Sequence, residues 1–305
     1  MNHILECNNQ QIKKIISFYR DDQKESKNET VLFFAKSRFF SVTIFNSNKV
    51  MFQGKDALTE YNMWCTMLGV KSIEKPIKKD TPSSPSNYFF QSIGSDEVGT
   101  GDFFGPVVVC AAYLSGQDIE FVKGLKIDDS KKITDERIRV IGEQLKDRIT
   151  YSMLALHNKK FNDMTKQGYN MNKLKAYLHN SAILQLVQKL DKKTPVVVDQ
   201  FAEPKLYFKY LANERNIYRD ITFTTKAESK YASVAVASII ARYAFLQFFD
   251  NLSDESGYDL LKGAGKKVDL LTAQIINDKG EDFLDSISKT NFRTLDKAKE
   301  LLNDK

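Results

Sequence analysis

Ser95-Asp96-Glu97-Val98-Gly99-Thr100-Gly101-Asp102 places two adjacent acids directly before two glycines that bracket a threonine. Successive residues of a regular strand point to opposite faces, so both carboxylates reach one site only if the strand ends or bulges there. Gly99 and Gly101 supply the freedom for such a turn. Crowded like charges raise each other's pKa unless a cation offsets them, so the pair points to a divalent metal ion.

The segments around this octapeptide read as strands and helices in alternation. Residues 89–95 predict a strand that runs into the acidic turn, and Pro106-Val107-Val108-Val109-Cys110-Ala111-Ala112-Tyr113 predicts a buried returning strand. Leu174, Leu178, Ala182, Leu186 and Leu190 recur every fourth residue along one helix face. Pro195-Val196-Val197-Val198-Asp199 then predicts a short buried strand closed by an acid. A long helix rich in small residues is expected from Lys226 to Tyr243, with Glu228 near its start. This is an α/β pattern, in which functional groups gather at strand ends where loops open a crevice.

Upstream, Lys75-Pro76-Ile77-Lys78-Lys79-Asp80-Thr81-Pro82-Ser83-Ser84-Pro85-Ser86 holds three of the six prolines and has no periodicity, as an interdomain linker would. Three parts are therefore expected: a small domain over residues 1–70, a linker over 71–87 and a larger domain over 88–305. The small domain reads as helix, three strands (31–35, 39–45 and 49–53) and helix (57–68), with short polar turns that imply an antiparallel sheet covered by helices on one face. Phe39, Phe40 and Phe45 either form an aromatic platform for nucleic acid on the open face or pack beneath the helices.

The chain has 305 residues, 42% hydrophobic and 28% charged, which excludes a disordered protein. Its first residues lack a basic region followed by an apolar run, and no stretch approaches the roughly 18 uncharged apolar residues of a membrane span. A cytoplasmic monomer with no membrane association is expected. Cys7, Cys65 and Cys110 are far apart, and His3, His157 and His179 are equally scattered, so neither a disulfide framework nor a zinc site is expected. Any metal would be a hard cation on carboxylate oxygens, Mg²⁺ or Mn²⁺. Residues 1–86 hold 13 Lys and Arg against 9 Asp and Glu, and the remainder 32 against 30. That asymmetry is compatible with an anionic partner such as nucleic acid or with a solvated basic surface.

Asp96, Glu97, Asp199 and Glu228 stand at ends of elements that an α/β core brings to one sheet edge. Their run, Asp96-Glu97-Val98-Gly99-Thr100-Gly101-Asp102-Phe103-Phe104-Gly105-Pro106, resembles the signature of the type 2 ribonucleases H and of the HIII branch in particular. Asp129-Ser130-Lys131-Lys132, Tyr169-Asn170-Met171-Asn172-Lys173-Leu174, Val198-Asp199-Gln200-Phe201 and Lys226-Ala227-Glu228-Ser229-Lys230 follow in that family's order. The resemblance covers roughly residues 87–305. It implies a ribonuclease H-like fold, a mixed sheet flanked by helices, that hydrolyses the RNA strand of RNA–DNA hybrids. It further implies two Mg²⁺ or Mn²⁺ ions held by Asp96, Glu97, Asp199 and Glu228, and products with 5′-phosphate and 3′-hydroxyl ends. The first domain resembles the family's N-terminal extension, whose fold is like half of a TATA-binding protein.

Substrate contacts are expected at Gly99, Thr100 and Gly101, where backbone groups can approach a minor groove and sense a 2′-hydroxyl, and at Ser130, Lys131 and Lys132 as phosphate contacts. Asp102 is expected to cap the turn. Thr100 replaces the arginine of the HII type's Gly-Arg-Gly motif and Glu228 its usual aspartate, both in keeping with the HIII type. A preference for runs of ribonucleotides over a single embedded one is expected from these departures. The rival readings are a non-catalytic nucleic-acid-binding module with the same fold and an exonuclease with a carboxylate-held metal pair.

Overall fold

Side chains alternate between more and less buried along three of four short strands near the N-terminus, as a sheet with one covered face requires, while the strand over residues 40–45 buries Val42, Thr43 and Ile44 in succession. The computed structural model describes residues 2–303, apart from positions 27, 38, 55, 71–87, 128–132 and 191–192. The expected linker, residues 71–87, lies outside the described residues. Two compact units result, Met1–Pro82 and Ser83–Lys305.

In the first unit, β1 (Asn2–Glu6) precedes α1 (Asn9–Phe18), then come β2 (Val31–Lys36), β3 (Phe40–Phe45), β4 (Lys49–Gly54) and α2 (Ala57–Met67). The sheet is antiparallel with order β1-β4-β3-β2. The edge strand β1 adds to the expected helix, three strands and helix. Asn8 caps α1, accepting from the Gln11 N–H at 3.0 Å while the Gln11 side chain accepts from the Asn8 N–H at 2.8 Å. Ile12, Ile15, Val42, Ile44, Val50, Phe52 and Trp64 form the core between helices and sheet.

The aromatic platform is not formed by the three phenylalanines together. Phe40 shares its face with Val42 and Ile44 and meets Tyr19 edge-on at 5.9 Å, beneath the helices. Phe45, of opposite parity, lies on the other face, and Phe39 precedes the strand and is 49% exposed. On the open face, Ile4, Met51, Thr43 and Phe34 align in register across all four strands.

The second unit is built on five strands, with the sheet order β7-β6-β5-β8-β9. They are β5 (Ser92–Val98), β6 (Val107–Leu114), β7 (Thr150–Leu156), β8 (Val196–Asp199) and β9 (Ile221–Thr224). β6 runs antiparallel to both β5 and β7, whereas β8 is parallel to β5 and β9 to β8, so the sheet is mixed as expected. Between β6 and β7 lie α3 (Ile119–Gly124) and α4 (Asp135–Arg148); between β7 and β8 lie α5 (Asn158–Lys166) and α6 (Met171–Leu190). α7 (Pro204–Tyr210) links β8 to β9, and α8 (Ala232–Ser256), α9 (Lys266–Lys279), α10 (Leu284–Ile287) and α11 (Arg293–Asn303) complete the chain.

Every residue of β6 is buried because both faces of the sheet are covered. Val108, Cys110, Ala112 and Leu114 join the core beneath α8 and α4, while Val109, Ala111 and Tyr113 join the one beneath α6. α8 is long and apolar enough to cross a membrane by length and composition, but 78% of its most apolar window is buried in this core. Small residues let it approach the sheet so closely that Gly94 of β5 lies against the Ser233 and Val234 backbone.

Candidate active site

The acidic pair lies inside β5, not in a turn that follows it. Asp96 pairs with Cys110, Glu97 with Val109 and Val98 with Val108 without a bulge, which corrects the expectation of a broken strand. The two carboxylates therefore leave opposite faces of the sheet, Asp96 towards α8 and Glu97 towards α6. They reach one cleft because the ladder to β8 stops at Ser95 and Val198, one residue short of both Asp96 and Asp199. Both chains open there, at the C-terminal ends of parallel strands.

The cleft has a volume of about 390 Å³ and is lined by Asp96, Glu97, the 98–102 segment, Asp199, Glu228, Ser238 and Arg242, among others. Asp199 Oδ1 accepts from the Ala227 N–H at 2.9 Å, tying the end of β8 to the turn that carries Glu228. That turn is a separate 3₁₀ element, Ala227–Ser229, entered through a left-handed Lys226 with φ of 54°. The long helix begins only at Ala232, so Glu228 lies ahead of it and not within its start, which corrects the expected helix from Lys226.

Asp96 is partly buried at the edge of the cleft. Burial and the charges of Glu97 and Asp199 push its carboxyl well above the usual range, against hydrogen bonds from Ser238 and from the Glu97 N–H at 2.8 Å. Glu97 is held well below that range: burial alone would raise it, but hydrogen bonds and charge from His179 and Lys175 prevail. Lys175 Nζ donates to Glu97 Oε1 at 2.6 Å and His179 Nε2 stands 2.9 Å from Oε2. A carboxylate can only accept, so Nε2 carries a proton. His179 Nδ1 lies 2.7 Å from Ser95 Oγ, which also reaches the Cys110 carbonyl at 3.0 Å.

The donor set suits a hard divalent cation. Four carboxylates line one cleft without a thiolate, and the charges of Glu97 and Asp199, which add to burial in raising Asp96, are ones that such a cation offsets. Among the described residues, no group of three or more His, Cys, Asp or Glu side chains is already gathered closely enough to hold a metal.

Of the expected substrate contacts, Gly99, Thr100 and Gly101 line the cleft. Gly99 has φ of 89°, and a Cβ there would lie 2.2 Å from the Pro106 carbonyl, so only glycine fits. Gly101 has neither constraint and faces open space. Ser130, Lys131 and Lys132 lie outside the described residues. Asp102 anchors its loop, Oδ1 accepting from the Gly263 N–H at 2.6 Å. Buried Lys289 donates to the Asp102 carbonyl at 2.8 Å and to that of Gly105, bracing the same loop; burial pulls its amine down to about 7.

Sequence reading missed Ser238 and Arg242, four residues apart on the face of α8 that meets the cleft. Arg242 Nη2 donates to Asp135 Oδ1 at 2.6 Å, and Lys262 donates to the other oxygen, so the guanidinium is braced at the start of α4. Lys175 and His179 were missed too. Their signal is a Lys and a His at helical spacing, each one residue beyond a leucine of the buried stripe.

A ribonuclease HII family model matches residues 93–295, and a domain of unknown function (DUF3378) matches residues 2–73. Ribonuclease HIII of Staphylococcus saprophyticus is 44% identical over 270 residues, covering 87% of this chain and 86% of the relative. Ribonuclease HIII of Bacillus cereus is 39% identical over 305 residues, covering 98% of each. Among solved structures, that of Bst-RNase HIII in complex with Mn²⁺ is similar over 100% of both chains, with a TM-score of 0.71 and 33% identity. With a family match across the sheet and its helices, and identity of this extent over nearly the whole length, this chain belongs to the type 2 ribonucleases H, in their HIII branch.

Proposed function

We infer that this protein is an endoribonuclease that hydrolyses the RNA strand of RNA–DNA hybrids, with Asp96, Glu97, Asp199 and Glu228 as the residues that hold its divalent cations. The carrying observation is that these four carboxylates, from β5, β8 and the turn before α8, line one cleft at the strand ends. The family's named members are ribonucleases, and a structurally similar one has been crystallised with Mn²⁺. Bound Mg²⁺ or Mn²⁺, two ions in our reading, supply activation of the attacking water and charge stabilisation of the departing 3′ oxygen, leaving 5′-phosphate and 3′-hydroxyl ends.

The chain's own residues provide the placement. Asp96 and Asp199 line the cleft where β5 and β8 part, and the turn that carries Glu228 is tied to Asp199 through the Ala227 N–H. Gly99 and Gly101 present backbone without side chains towards the groove where a 2′-hydroxyl marks RNA. Arg242, braced by Asp135, adds positive charge on the same wall.

Threonine at position 100, in place of the HII type's arginine, supports a preference for runs of ribonucleotides. In an incision assay, a duplex with several consecutive ribonucleotides is expected to be cut efficiently and one with a single embedded ribonucleotide poorly; equal rates would overturn that preference. We read the enzyme as a cytoplasmic monomer.

The first unit is proposed to raise affinity for the hybrid through backbone contacts, since its sequence carries most of the basic excess and its sheet keeps one open face. Deleting residues 1–86 is expected to weaken binding more than turnover and to flatten the dependence of log Kd on log salt by roughly 0.7–0.9 per lost phosphate contact. A truncated protein with unchanged affinity and salt slope would remove this role.

A further inference from the structure

Glu97 meets two nitrogen-bearing side chains from a single helix. Lys175 and His179, four residues apart on α6, both turn towards the sheet, at 2.6 Å and 2.9 Å from the two carboxylate oxygens. Lys175 is only 7% exposed and His179 0%. Lysine is seldom buried so far unless it is committed to a partner.

Phe201 forms a shared wall behind them. Its ring stacks on His179 with centroids 5.3 Å apart and planes at 26°, and Lys175 Nζ sits 4.0 Å over the same ring. Phe201 follows Asp199 by two residues, so Lys175 and His179 touch both the end of β5 and the segment leaving β8. His179 Nδ1 also reaches Ser95 at 2.7 Å, one residue before Asp96.

A buried ionic cluster is a weak source of stability, since well-packed apolar side chains often serve as well. Its geometric effect is specific. A carboxylate offers about four lone-pair sites, and two on Glu97 are taken, which leaves a restricted set of directions in which it can serve a cation.

We propose that Lys175 and His179 are positioning residues of the catalytic centre: they hold the Glu97 carboxylate in one orientation and, through Phe201, keep the Asp199 segment beside it. The proposal rests on Glu97 and Asp199 belonging to the cation site, as inferred above. Neither side chain need touch the hybrid.

The test is Mn²⁺ titration calorimetry on the full chain without nucleic acid, alongside kcat and KM on a hybrid and thermal melting. The proteins are wild type, Lys175→Met, Lys175→Arg, His179→Gln, Glu97→Gln and the Lys175→Met, Glu97→Gln double variant. Lys175→Met is expected to stay folded and to lose roughly 10–100-fold in both Mn²⁺ affinity and kcat. KM should stay within about twofold, because the loss is in placing the chemistry and not in holding the hybrid. Lys175→Arg should recover most of the loss. In the Glu97→Gln background, Lys175→Met should cost no further Mn²⁺ affinity, since the lysine acts through that carboxylate.

Wild-type Mn²⁺ affinity in both Lys175→Met and His179→Gln would overturn the proposal, as would an equal loss with and without Glu97. Should Lys175→Met not fold, His179→Gln carries the comparison with the same two outcomes. A wild-type protein that binds Mn²⁺ yet leaves the hybrid intact would contradict the hydrolase reading alone, because the Mn²⁺ affinities decide the positioning role.

Discussion

Replacing Asp199 by asparagine is expected to lower kcat on an RNA–DNA hybrid by roughly 10³-fold, the loss of about 4 kcal/mol of transition-state stabilisation at a cation site. The fold should survive. Asp199 Oδ1 accepts from the Ala227 N–H at 2.9 Å, and an asparagine carbonyl oxygen accepts the same bond, so the turn bearing Glu228 keeps its anchor. The backbone pairing of Asp199 with Thr224 involves no side chain and is untouched. The substitution therefore removes charge with little change in shape. Single-turnover cleavage and a thermal melt check it together: an unchanged melting temperature with activity above a tenth of wild type would remove Asp199 from the set of metal ligands.

Gly94→Ala is the substitution expected to damage the fold most directly. A Cβ at position 94 would lie 2.2 Å from both Ser233 C and Val234 N, which are backbone atoms of the first turn of α8 and cannot rotate away. β5 cannot yield sideways either, since β6 and β8 pair with it on its two edges. Overpacking of this kind costs about 1–3 kcal/mol, and a backbone-to-backbone clash belongs at the upper end. At about 3 kcal/mol the melting temperature of a domain this size falls by roughly 6–12 °C. Activity should fall as well, because the strand that moves carries Asp96 and the helix it strikes carries Ser238, its hydrogen-bond partner. An alanine variant that melts with wild type would show that strand and helix do not approach so closely.

What could be read from the sequence and what could not differ by the range of the interactions concerned. Val196, Val197 and Val198 ahead of Asp199 mark a buried strand closed by an acid through local composition alone, and the structure places Asp199 at that strand's end. The stripe from Leu174 to Leu190 marks its helix in the same way. The acidic pair was legible as chemistry but not as geometry: the following glycines suggested a turn, whereas pairing with β6 keeps β5 regular through Val98. The two carboxylates meet in one cleft because the neighbouring strand parts from β5, a property of two chain segments about a hundred residues apart.

Lys175 and His179 escaped notice for a similar reason. Their partner Glu97 comes from across the sheet, and a lysine on a helix ordinarily faces solvent. Phe40 and Phe45, in contrast, could have been separated by parity alone, since residues five apart on a strand lie on opposite faces. β1 is five residues long at the sheet edge, and its sequence, Asn-His-Ile-Leu-Glu, has little periodicity to announce it.

The most direct test of the central claim uses wild-type protein and a hybrid whose RNA strand is a closed circle, with Mg²⁺, with Mn²⁺ and with chelator. Our account expects internal cuts in the RNA alone, leaving 5′-phosphate and 3′-hydroxyl ends, with either cation and none with chelator. An intact circle in the presence of folded protein and either cation, or cleavage that needs a free end, would contradict it.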